Sequence, residues 1–69
     1  MTDRLVTTLK NMREARGLTQ AQLAELVGVS RKTINTVENG VCVPSTVIAL
    51  KLAAALDEPV EALFRLQTD

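Results

Sequence analysis

Between Thr19 and Gly40 the sequence TQAQLAELVGVSRKTINTVENG leaves few folding choices open. Thr19, with Gln22 three residues on, forms a capping box: each side chain bonds the backbone N–H at the other's position, which marks a helix start. The residues that follow, Gln20 to Leu26, are good helix formers. Leu23 and Val27, four apart, give this helix an apolar stripe, with Leu26 beside it. Gly28 falls where a left-handed residue ends a helix at little steric cost. Val29 is the apolar plug of the turn, and Ser30 is a preferred N-cap for a second helix from Arg31 to about Asn39. In that helix Ile34 and Val37, three apart, face inward, and Arg31, Lys32, Asn35 and Thr36 are left on the other side. Ala24 is small where the two helices should cross, and Gly40 closes the unit.

The flanks read as support. Residues 1–16 are expected to form a first helix, capped by Thr2 or Asp3, with Leu5, Leu9 and Met12 at i, i+4 and i+7 on one face and Gly17 at its end. Leu18 is placed to pack on Leu23 as a hydrophobic staple. Residues 39–45, NGVCVPS, form a loop, because Pro44 disfavours helix at Val43. Ser45 caps a fourth helix, 46–56, with Ile48, Leu52, Ala55 and Leu56 as its stripe. Asp57 stands at its end and tolerates a left-handed conformation better than most residues. Pro59 suits the first turn of a fifth helix, 59–66, with Val60, Leu63 and Phe64 inward and a fraying tail at Gln67–Asp69. The expected fold is therefore all-α, five helices in one domain spanning 1–69, with the central unit at 19–40.

Composition narrows the function classes. Sixty-nine residues with one Phe and no Trp or Tyr must build an aliphatic core, and a chain of this size buries only about 60% of its unfolded surface. The absence of His and the single Cys leave no disulfide framework and no His/Cys metal site. Cys42 reads as a small hydrophobe, with a redox-sensitive thiol as the minor alternative. An enzyme is not expected, since there is no Gly-rich phosphate loop and no room for a pocket of ~300 Å³. No cofactor or small-molecule ligand is expected either. The N-terminus is too polar for a signal peptide and no apolar run approaches the ~20 residues of a membrane span, which points to the cytoplasm. Net charge is zero but unevenly spread. Residues 1–37 hold Arg4, Lys10, Arg13, Arg16, Arg31 and Lys32 against Asp3, Glu14 and Glu25. Residues 38–69 hold Lys51 and Arg65 against Glu38, Asp57, Glu58, Glu61 and Asp69. The half carrying the second helix of the central unit is basic and the other is acidic.

Those residues resemble the Cro/repressor-like, Xre-type family of helix-turn-helix regulators, in particular its very short members. The resemblance is carried by LTQAQLA at 18–24, VGVSRKTIN at 27–35, VENG at 37–40, Pro44–Ser45, ALKLAAAL at 49–56 and ALF at 62–64, and it covers roughly residues 9 to 64. It implies a compact lambda-repressor-like domain whose third helix lies in the DNA major groove, and a transcriptional regulator, with repression the expected mode. Arg31, Lys32 and Thr36 match the family's usual base-reading positions, and Asn35 is a fourth candidate. The chemistry suits them, because Arg or Lys can bond guanine O6 and N7, and Asn can bond adenine N6 and N7. Gln20 and Asn39 match phosphate-contacting positions, and Thr33 lies nearer the sugar-phosphate wall. In this family an arginine at the position of Arg13 often pairs with the glutamate matching Glu38, so a partly buried ion pair is expected here.

One departure qualifies the resemblance. The loop Val41–Ser45 carries no Lys or Arg, whereas DNA-binding relatives often place cations there. Val41, Cys42 and Val43 instead offer apolar surface, either a dimer contact or core lining. A single module contacts too little DNA for tight specificity, so a homodimer on a palindromic double-stranded operator is expected. Its candidate anchors are Phe64 or Leu66 at the end formed by helices four and five. The alternative function is a protein-interaction module, or antitoxin-like subunit, on the same fold with weak or no DNA affinity.

Overall fold

The computed structural model describes residues 3–68. In chain order it comprises β1 (Asp3–Thr7), α1 (Leu9–Ala15), α2 (Gln20–Val27), α3 (Arg31–Glu38), α4 (Thr46–Leu56), α5 (Val60–Leu63) and β2 (Phe64–Thr68). The two strands pair antiparallel, with Asp3 opposite Thr68, Leu5 opposite Leu66 and Thr7 opposite Phe64. The all-α expectation is thereby corrected: a two-stranded ribbon joins the two ends of a helical body.

The helix expected over residues 1–16 begins only at Leu9, and Asp3 lies in a strand rather than at a helix cap. Thr2, the other proposed cap, lies outside the described residues. Two threonines account for the late start. Thr7 Oγ1 accepts from the Leu9 N–H at 3.0 Å and donates to the Leu63 carbonyl at 2.9 Å. Thr8 donates through its hydroxyl to Ala62 O at 2.6 Å and through its backbone to Leu63 O at 3.0 Å. Such side-chain bonds offer the backbone an alternative to the helix ladder. The same bonds hold the end of α5, where Phe64 turns extended (φ −137°, ψ 138°). The fifth helix is therefore four residues long rather than running through 59–66, and Gln67 and Thr68, expected to fray, pair with Arg4 and Asp3.

The central unit forms as its local signals dictate. Both bonds of the Thr19–Gln22 capping box are present, and Gly28 is left-handed at φ 81°. Ser30 caps α3 by accepting from the Thr33 N–H, and Ser45 caps α4 from the Ile48 N–H. At the other end of α4, Asp57 adopts φ 53°, and the N–H groups of Asp57 and Glu58 return to Ala54 O and Ala53 O. This is a Schellman termination built on a non-glycine residue.

The core is aliphatic, as the composition requires. Leu9, Leu23, Ile34, Leu52, Leu56 and Leu63 are fully buried, one or more from every helix. Ala24 sits among them where α2 packs on α3, and Leu18 packs against the cluster from outside. Phe64 is buried too, which corrects its expected role as a dimer anchor. Arg16 and Glu58 approach to 3.7 Å at the surface, a contact too exposed to contribute much.

Candidate nucleic-acid interface

The site begins with what holds α3. Ile34 and Val37 press one face of the helix into the core, so Arg31, Lys32 and Asn35 are turned to solvent on the other. These three side chains line one shallow surface hollow of about 270 Å³. Two cations and an amide thus stand together at the start of a helix whose register is fixed by burial.

Thr36 and Thr33 are placed differently. Both are half-buried. Thr36 Oγ1 donates to the Thr33 carbonyl at 3.1 Å, the back-bonding habit of a helical threonine. Its hydroxyl hydrogen is spent there, leaving the methyl group and the oxygen lone pairs. Thr33 belongs to the cap: its backbone N–H donates to Ser30 Oγ at 3.1 Å, and the two hydroxyls lie 2.9 Å apart. Asn39, just past the helix end, donates from Nδ2 to Asn35 Oδ1 and so braces the amide of the exposed face.

The far end of α3 is anchored by an ionic knot. Arg13 Nε donates to Glu38 Oε2 at 2.6 Å and Arg13 Nη2 to Glu38 Oε1 at 3.2 Å. Arg13 Nη1 donates to the Leu18 carbonyl at 2.7 Å, and Gln20 Nε2 to Glu38 Oε1 at 3.0 Å. The Glu38 side chain is 1% exposed and that of Arg13 9%. One carboxylate therefore ties α3 to α1 and to the first turn of α2. Among the described residues no buried side-chain N or O lacks a hydrogen-bond partner. The Arg13 guanidinium is held above its ordinary pKa, first by its hydrogen bonds to Glu38. Burial pulls the other way, and the charges of Glu38 and Glu14 add upward.

The bond from Gln20 to Glu38 was not foreseen from the sequence. The two residues are 18 apart on different helices, so no local spacing signals it. The contact of Asn35 with Asn39 did have a signal, the i, i+4 spacing on one helix face. Gln20 and Arg31 also border one trough of about 560 Å³ that runs past Gly17, Leu18 and Thr19. Ala21, in the first turn of α2, lines it as well. A helix start of this kind favours anions.

Among the described residues there is no cluster of three or more His, Cys, Asp or Glu side chains able to hold a metal ion. No helix among them is long and apolar enough to cross a membrane.

Comparison with known proteins agrees with this geometry. The helix-turn-helix domain family matches residues 4–66. An uncharacterised HTH-type transcriptional regulator of Methanothermobacter thermautotrophicus is 44% identical over 64 residues, covering 91% of this chain and 93% of that protein. The Bacillus subtilis HTH-type regulator YgzD is 38% identical over 61 residues, covering 88% and 92% respectively. Among solved structures, the restriction-modification controller protein C.AhdI of Aeromonas hydrophila superposes with a TM-score of 0.75 at 42% identity, over 78% of this chain and 82% of that one. An HTH_3 family transcriptional regulator from Vibrio cholerae gives 0.71 at 35% identity, over 78% of this chain and 30% of its own. The chain belongs to the helix-turn-helix domain family, as an Xre-type transcriptional regulator.

Proposed function

We propose that this DNA-binding regulator recognises a double-stranded operator by laying α3 in the major groove, and that it represses by occupying that operator in the cytoplasm. The observation that carries the reading is the exposed Arg31–Lys32–Asn35 face on a helix pinned at its far end through Glu38. Arg31 and Lys32 would bond guanine edges and Asn35 adenine, and Thr36 would offer its methyl group to a thymine. Phosphates would meet the first turn of α2, where the Gln20 amide has one hydrogen on Glu38 and a second to give. Thr33 and Asn39 would stand against the same backbone wall. Two protomers reading a palindrome would supply the contact area that one lacks.

Selection of bound duplexes from a random DNA library by the purified protein tests this. Enrichment of a palindrome with half-sites about one helical turn apart is the expected result. No enrichment at low salt, where phosphate attraction is strongest, would overturn it. The exposed loop around Val41 and Val43, without a cation, favours one alternative: a protein-interaction module of weak DNA affinity.

A further inference from the structure

An asparagine side chain offers a base edge two atoms of almost the same shape, the donor Nδ2 and the acceptor Oδ1. Which base it prefers therefore depends on which way its amide is turned. On an exposed helix face the residue alone does not decide that. Asn35 is such an exposed amide, sharing one hollow with Arg31 and Lys32. Its Oδ1 is already engaged, accepting from Asn39 Nδ2 one helical turn on. Asn39 is itself tied down, since its backbone N–H returns to Asn35 O at 3.1 Å and to Val37 O. The direction of the side-chain bond suits its place. The last turn of a helix is its negative end, with carbonyls left over, and it draws an amide NH₂ towards the helix in preference to a second oxygen.

We propose that Asn39 determines specificity: by holding Asn35 Oδ1 it fixes the turn of the Asn35 amide, and so selects the base that Asn35 reads. It is a positioning residue, acting through Asn35 in addition to any phosphate contact of its own. The inference rests on the DNA reading above and deepens it by giving one base position the source of its preference. With Oδ1 drawn towards the end of α3, Nδ2 is left facing the start of the helix with two hydrogens to give, and Oδ1 keeps one lone pair. A donor in front and an acceptor behind match adenine, whose N7 accepts and whose N6 donates. The opposite turn puts Oδ1 in front, which suits cytosine, whose N4 donates. An unheld amide takes either turn and blurs the distinction. The bond between two exposed amides is weak in water, and it strengthens once a groove covers it and lowers the local dielectric.

The test is random-duplex selection by the full chain and three variants, Asn35→Ala, Asn39→Ala and Asn39→Asp. Asn35→Ala locates the base pair in each half-site whose preference Asn35 supplies. Asn39→Asp keeps the shape but makes the partner an acceptor, so Asn35 Nδ2 must turn to it and Oδ1 comes to the front. At that base pair adenine should lose roughly tenfold or more against cytosine, beyond the even loss that a carboxylate near phosphates adds for every sequence. Asn39→Ala should flatten the preference at the same base pair and leave the other positions unchanged. Far-UV circular dichroism should match the wild type in both, since neither change removes a backbone bond. If Asn39 meets only phosphate, both variants weaken all sequences alike with every base preference kept, which overturns the proposal and leaves the DNA reading standing. An Asn35→Ala motif identical to the wild type does the same. A wild type that enriches no operator overturns both.

Discussion

Glu38 is the residue on which the reading helix depends, because one nearly fully buried carboxylate accepts from Arg13 twice and from Gln20 once. Removing a partner strands a charge away from water, and Arg13→Met should cost about 3–5 kcal/mol, read from denaturant unfolding. Arg13→Met combined with Glu38→Leu should recover part of that loss, since the stranded charge is gone. The pH behaviour follows from the raised pKa of Arg13. A group whose folded pKa lies above its unfolded value contributes fully below the unfolded value and loses that contribution only as pH climbs through the folded one. For a guanidinium that window is strongly alkaline. The stability difference between wild type and Arg13→Lys should therefore stay constant through neutral pH. At this scale the sequence was informative about exposure: the spacing of Ile34 and Val37 leaves Arg31, Lys32 and Asn35 outward. The partnership of Arg13 with Glu38 was visible only through family resemblance, and that of Gln20 with Glu38 was not visible at all, because each joins different helices.

Element boundaries show where local rules suffice. The capping box at Thr19, the left-handed Gly28 and the Ser30 and Ser45 caps depend on neighbours within a few residues, and each forms as the residues suggest. The ribbon depends on partners at opposite ends of the chain, and Leu5, Leu9 and Met12 fit a helical period just as well. The bonds of Thr7 and Thr8 to Leu63 O and Ala62 O, together with the pairing to β2, favour strand over helix there. Thr8→Ala should accordingly cost about 1 kcal/mol in thermal unfolding. Asp57 runs the other way. As a left-handed non-glycine residue (φ 53°) it carries a steric cost, so Asp57→Gly should stabilise by up to about 1 kcal/mol. In a domain of this size that raises Tm by about 4–8 °C.

For the whole molecule, charge distribution sets the character of DNA binding. Arg31 and Lys32 stand on the reading face, and no further Lys or Arg follows until Lys51. Ionic contacts from that face are few, so affinity should fall only gently with salt. Each phosphate neutralised contributes roughly −0.9 to the slope of log K against log salt, and with both cations of that face on base edges few are left to add to it. Specificity must then come from base contacts, which we assign to the Arg31–Lys32–Asn35 face. The most direct test of that assignment is to repeat the random-duplex selection with Arg31→Ala beside the wild type. The expected result is the same palindrome with base preference lost at one position in each half-site, and a cost of about 1–3 kcal/mol on the wild-type operator. An unchanged motif, or one weakened evenly at every position, would contradict it.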